Sequence, residues 1–363
     1  MIPAIYPIPL IPPTTIFACV PHPRPPKILA GSLAVSAWFC HPRNPDRGEH
    51  IMTNITRKNR IAKEKTLNPE TATPTDIYAR VTGKIIADLE NGNLTWRKPW
   101  NADHLAGQVM RPLRWNNIPY SGINTLMLWG TAAEQGYTSP YWMTFKQATE
   151  LKANVRKGEK GTQVVYADKI TKEDEDQNGD VKTKQIPFLK CYTVFNASQI
   201  EGLSDPFYKV PESVVMNPEQ RNQELENFFA QTKADIYTGH QASYTLATDR
   251  IQMPPFESFE SATRYYAILG HEICHWTKHP NRLNRDLGRK QYGDEGYAKE
   301  ELVAELGACF LAADLGFEPM PDSHHAAYIE TWLKVLKDDK RFIFSAASHA
   351  QKAAEYIHKR ACP

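Results

Sequence analysis

The stretch Ser261-Ala262-Thr263-Arg264-Tyr265-Tyr266-Ala267-Ile268-Leu269-Gly270 runs helically into His271-Glu272-Ile273-Cys274-His275-Trp276 and decides how this chain reads. It contains the pattern HExxH. Spacing i,i+4 puts both imidazoles on one helical face, about 6 Å apart along the axis, where they can share a zinc ion while Glu272 faces the position left for water. A catalytic zinc needs one more protein ligand and that open position. His279 continues the i,i+4 series, but eight residues of helix span about 12 Å, too far for three imidazoles to meet one ion. It reads as a helix C-terminal cation before Pro280. Cys274 reads as a buried free thiol, because a fourth ligand would close the site to water.

Working outward, Tyr297-Ala298-Lys299-Glu300-Glu301-Leu302-Val303-Ala304-Glu305-Leu306-Gly307-Ala308-Cys309-Phe310-Leu311 is predicted as a second helix, with Glu301 and Glu305 on one face among apolar neighbours. A carboxylate thirty residues past His271 on a separate helix resembles the arrangement of gluzincin peptidases, in which a second acid one turn later orients a histidine ligand. That resemblance implies Glu301 as the third metal ligand and Glu305 as its supporting partner. The reverse order, or a solvated acidic face, is the alternative. His325, in the pair before a predicted helix over 326–336, is a candidate proton donor to a transition state, with capping or a surface role as the alternative. The strand and turn over 243–254 could border the cleft and accept an extended peptide as an added strand.

The chain has 363 residues with 43 Lys plus Arg against 41 Asp plus Glu, so its net charge of +2 gives no global reason to bind nucleic acid. Its six cysteines are scattered without a CxxC pair, which suits a reducing, cytoplasmic compartment. Eleven of its 27 prolines fall in residues 1–50. That arm, taken as 1–71, is expected to be disordered. Its apolar run at 28–39 is too short for a membrane helix, and Met52 begins an ordinary polar, basic segment, so translation is expected to start there.

The rest divides near residue 205 into an expected first domain, 72–205, and a second, 206–363, of the α+β class. The first opens with a helix on Ile77, Val81, Ile85, Ile86 and Leu89, then another over 124–135, then two strands, 163–167 and 188–195, joined by an acidic tip. The second opens with a helix over 218–233. With residues 171–185 set aside, 72–200 carry 13 Lys plus Arg against 8 Asp plus Glu, and five of the eight tryptophans lie there. Aromatic faces beside cations suit unpaired bases and their phosphates. The candidate contacts to single-stranded DNA are Trp96, Arg97, Lys98, Trp100, Arg111, Tyr120, Asn124, Trp142, Lys146, Lys157 and Lys160. The alternative places the tryptophans in the core with a soluble cationic rim.

Taken together, Trp96-Arg97-Lys98-Pro99-Trp100, Asn117-Ile118-Pro119-Tyr120-Ser121-Gly122-Ile123-Asn124, Lys157-Gly158-Glu159-Lys160-Gly161, the HExxH helix and Glu300-Glu301-Leu302-Val303-Ala304-Glu305-Leu306 resemble the ArdC-type antirestriction proteins from about residue 74 to 360. The resemblance implies an amino-terminal single-stranded-DNA-binding domain, shared with conjugative TraC-type primases, followed by a zincin-like metallopeptidase domain. It further implies carriage on plasmid or other mobile DNA and protection of that DNA from restriction, which makes restriction enzymes candidate partners beside an unidentified peptide substrate. Two other roles fit the same motifs. One is a DNA-recruited protease for crosslinked proteins, similar to SprT-like enzymes. The other is a shield without catalysis.

Overall fold

In the computed structural model, which describes residues 74–362 apart from 101, 106–108, 176–180, 210–216, 218, 289–294 and 320–325, the periodic run from Ile77 becomes helix α1 (Pro74–Glu90). The proline-rich arm, Met52 and His325 lie outside the described residues. After α1 come β1 (Leu113–Arg114), α2 (Ile123–Gln135), β2 (Tyr141–Met143), α3 (Phe145–Glu150), β3 (Asn154–Val155), β4 (Thr162–Glu175), β5 (Val181–Asn196) and β6 (Ile200–Glu201). One sheet runs β1-β2-β5-β4, parallel only between β1 and β2, and β3 pairs antiparallel with β6. The β4–β5 hairpin is longer than its apolar runs suggested, with pairing from Thr162↔Val194 out to Glu175↔Val181.

The second half begins with α4 (Gln223–Gln231), shorter than expected because Asn222 caps it, its Oδ1 accepting from the Glu224 and Leu225 amides at 3.0 Å. A three-stranded sheet follows in the order β7-β9-β8, from β7 (Asp235–Thr238), β8 (Ser243–Thr245) and β9 (Arg250–Met253). The remaining elements are helices: α5 (Ala262–Trp276), α6 (Glu295–Leu315), α7 (Ala326–Asp338) and α8 (Phe342–Ala361). Helix α6 is buried on every side from Glu300 to Ala313, as expected of a helix at the centre of a bundle. It packs against α5 and α8. Gly307 sets the distance to α5, since a Cβ there would stand 2.7 Å from Cys274 Sγ. That close approach brings the acids of α6 to the histidines of α5.

Both halves contribute to the largest core, and the first half holds two smaller clusters of its own, one with Leu128, Trp142 and Val194 and one with Met143, Ala148 and Ile200. Ile77, Val81, Ile85, Trp96 and Trp129 belong to the same buried cluster as Ile273, Leu306, Phe310, Trp332 and Ala347. Polar contacts cross between the halves as well: Thr82 Oγ1 donates to Lys340 O at 2.6 Å, and Arg111 reaches Gln351 Oε1 at 2.8 Å and Asp314 Oδ1 at 3.2 Å. The architecture is α+β with two domains, as expected, and the largest core cluster runs across the boundary between them.

Candidate metal centre and nucleic-acid face

Helix α5 starts at Ser261, whose Oγ accepts from the Arg264 amide at 3.2 Å, and carries His271, Glu272 and His275 on its last two turns, all buried. The Nε2 atoms of His271 and His275 stand 3.1 Å apart. From α6, Glu301 closes the triangle, with Oε2 3.4 Å from His271 Nε2 and Oε1 3.4 Å from His275 Nε2. A tetrahedral ion with bonds of about 2.0–2.1 Å has ligand-to-ligand edges of about 3.3–3.4 Å, so these three atoms have the spacing of one face of such a site. Among the described residues they form the one cluster of this kind.

The chemistry of the donors agrees with the spacing. His275 Nδ1 is 3.1 Å from Glu300 Oε1, which fixes the proton on Nδ1 and turns the Nε2 lone pair toward the triangle. Burial opposes positive charge on His275, but the neighbouring Glu301 carboxylate and hydrogen bonds to Glu300 and Glu301 outweigh it and raise its pKa to about 9. Burial likewise favours neutral Glu301, and the charge of His275 with hydrogen bonds to both imidazoles holds it far below the usual carboxylate range. The centre is thus built to hold positive charge.

Glu300 is in turn locked by Arg285, whose Nε and Nη2 donate to its two oxygens at 2.8 and 2.7 Å. The same guanidinium donates to Thr277 Oγ1 and Cys274 O, both at 3.1 Å, at the C-terminal end of α5. Burial pushes the Glu300 pKa upward, but Arg285 and His275 together bring it down to about 2. The carboxylate bonded to His275 Nδ1 is thus Glu300, a residue the sequence reading did not single out, while Glu305 was the expected supporting acid. Glu305 accepts from the Trp96 indole Nε1 at 3.3 Å and from Cys309 Sγ at 3.8 Å, and His271 Nδ1 has no hydrogen-bond partner among the described residues. One helical turn past Glu301, Glu305 meets the first segment through Trp96. Cys274 is buried against Gly307, and burial pushes its thiol pKa up.

Of the eleven expected DNA contacts, five are buried, three are partly buried and three are exposed. Trp96, Tyr120 and Trp142 are buried, and Trp100 is half-buried edge-to-face against Trp129 at 5.2 Å. Arg97 is buried; Arg111 lies under Phe310, 4.2 Å from the ring centroid. Lys98 bridges Asp88 and Glu134 at 2.8 and 2.9 Å. Asn124 clamps α2 to β4, donating to Val165 O and accepting from Val165 N, both at 2.8 Å. Only Lys146, Lys157 and Lys160 point into solvent. Large rings make the core of this segment because each removes more apolar area from water than any other side chain.

Residues 75–195 match the N-terminal domain of anti-restriction factor ArdC, and residues 223–349 match a zincin-like metallopeptidase family. The metal-free crystal structure of the antirestriction protein ArdC from plasmid R388 is 48% identical in sequence, covers 79% of this chain and 98% of its own, and superposes with a TM-score of 0.69. The chain belongs to the ArdC family of antirestriction proteins. A second structure of the R388 protein, described as Mn(II)-bound, matches at 46% identity with a TM-score of 0.67. Protein y4eC of Sinorhizobium fredii is 40% identical over 292 residues, 79% of this chain and 92% of that protein. The DNA primase TraC of Escherichia coli is 39% identical over 296 residues, 77% of this chain but only 27% of the primase.

In this ArdC-family chain the residues missed from the sequence are Glu300 and Arg285. Glu300 had a signal, being an acid in an otherwise apolar helix directly before the chosen ligand. Arg285 had none, because it lies in an irregular segment beyond α5 where no period indicates its direction.

Proposed function

We propose that this ArdC-family chain is a zinc-dependent peptidase joined to a single-stranded-DNA-binding segment, acting in the cytoplasm to protect incoming mobile DNA from restriction. The observation that carries the peptidase reading is the triangle of His271, His275 and Glu301 with Glu272 beside it on α5. Two imidazoles and one carboxylate are a donor set suited to zinc with a coordination position left open. A bound zinc ion would supply Lewis acidity toward a peptide carbonyl and make water nucleophilic at neutral pH.

The chain's own groups do the rest. Glu272 has no hydrogen bond or ion pair to another of the described residues, leaving its carboxylate available to take a proton from the attacking water and hand it to the departing amine. Glu300, held by Arg285, keeps the His275 ring in one orientation throughout. β8 is an edge of its sheet and packs against α5, so an extended peptide can pair with it beside the site. Support for the DNA role comes from the match of 75–195 to the ArdC N-terminal domain.

The test is Glu272→Gln. The variant should bind zinc as the parent does, yet release no peptide products. Cleavage at the parental rate would remove Glu272 from the mechanism. Loss of restriction protection in cells alongside lost cleavage would tie the protection to hydrolysis, whereas full protection without cleavage would make it a shielding function.

A further inference from the structure

Of the rings expected at DNA, Trp96, Tyr120 and Trp142 are buried and Trp100 is half-buried, whereas other rings are exposed. Trp115 is 40% exposed and Phe145 is 60% exposed, and Ile118, in the turn that follows Trp115, is 49% exposed. Neither ring is paired with another aromatic among the described residues. Large apolar side chains gathered on one surface mark an interaction site.

The fold puts them at one end of one sheet. β1 runs parallel to β2 with Arg114 paired to Trp142. Trp115 follows that pair by one residue on its strand, and Phe145 follows by three on the other, so both leave the sheet at the same end. The turn carrying Trp115 and Ile118 is tied to β2 by the Tyr141 hydroxyl, which donates to Asn117 Oδ1 at 2.7 Å.

The charge of this edge selects its ligand. Arg114 precedes Trp115 and Lys146 follows Phe145. Arg114 lies over the Tyr120 ring at 5.3 Å with no carboxylate partner among the described residues. The Lys146 side chain is 87% exposed, with only a 3.7 Å contact to exposed Glu150. Between residues 111 and 149 the single acid is Glu134, which is already bonded to Lys84 and Lys98. A ring with a cation next to it, twice over, with exposed Glu150 the one carboxylate in contact with either cation, suits a polyanion that presents flat faces.

We infer that unpaired bases of single-stranded DNA stack on Trp115 and Phe145 while Arg114 and Lys146 hold the adjoining phosphates. This deepens the DNA-binding reading above and rests on it. Because both rings are exposed, they can be removed with the core intact.

The test is fluorescence anisotropy of the full chain with a labelled oligothymidylate of about 20 nucleotides. Each of Trp115→Ala and Phe145→Ala should weaken binding about tenfold, and the double variant about a hundredfold, with melting unchanged. Trp115→Tyr with Phe145→Tyr should bind nearly as the parent does, since a flat ring is kept. Replacing both cations, Arg114→Gln with Lys146→Gln, should make the logarithmic salt dependence shallower by about 1.4. A double alanine variant that binds like the parent overturns the inference and leaves the DNA-binding reading standing. A parent that does not hold the oligonucleotide overturns both. Unchanged DNA affinity with lost self-association would assign the edge to a protein partner, and that result also overturns it.

Discussion

Trp96 is the residue on which a surface reading of the tryptophans and the structure differ most, and Trp96→Ala separates them. The ring is fully buried, edge-to-face with Trp332 at 5.8 Å, and its indole N–H bonds Glu305 on α6. Truncating a buried Trp to Ala costs about 3–5 kcal/mol, from lost transfer energy and the cavity left behind. At roughly 2–4 °C per kcal/mol for a domain of this size class, melting should fall by about 10 °C. Trp96→Phe keeps most of the ring but removes the donor to a carboxylate, a bond worth about 1.5–3 kcal/mol, so it should fall by about half as much. Differential scanning calorimetry gives both shifts, and anisotropy with an oligonucleotide on the same samples, below their melting points, gives affinity. A parental melting temperature for Trp96→Ala together with weakened DNA binding would put the ring outside and refute the reasoning.

Three further outcomes concern the metal centre. Glu300→Ala should weaken zinc binding about 10–100-fold in isothermal titration, because His275 loses the partner that fixes its ring, and Glu301→Ala should weaken it more. Equal affinities in the two variants would mean that Glu301 is not a ligand. Arg285→Met leaves Glu300 charged and buried without its partner, so stability to denaturant should drop by about 3–5 kcal/mol. Chelation should lower melting by about 5–10 °C relative to protein holding zinc at roughly 100 times its Kd, and added zinc should restore it.

How much of this was legible in the sequence depends on whether a residue's direction follows from a period. His271 and His275 share a face because both sit on one helix, and Glu301 was reachable by resemblance, though not by spacing. Glu300 and Glu301 are neighbours facing different partners, one a histidine Nδ1 and the other the open triangle, and only the packing angle of α6 on α5 at Gly307 decides which does which. The small-residue stripe of α8, with Ala346, Ala347, Ala350, Ala353 and Ala354 buried, follows a helical period, but alanines alone do not say which neighbour they face. Composition failed for the tryptophans for a plain reason. A ring beside a cation looks the same in sequence whether the cation covers a core or waits for phosphate.

The shared core has a consequence for dissecting the protein. If the DNA-binding segment were an independent module, residues 74–205 alone should fold, yet the face they present to the rest is apolar. Trp129 lies 5.9 Å from Phe310, Trp96 packs on Trp332, and Arg111 takes its hydrogen bonds and ion pair from Gln351 and Asp314. Separation exposes those rings to water and takes Phe310, Gln351 and Asp314 away from Arg111, so the isolated segment should aggregate or bind a hydrophobic dye and give no cooperative melting transition. The same interface joins the two segments physically, since Glu305, one turn from Glu301, accepts a hydrogen bond from Trp96. A monomeric segment that melts cooperatively and binds oligonucleotide like the full chain would show that the contacts across the interface are dispensable, and would remove the structural reason to expect either half to sense the other.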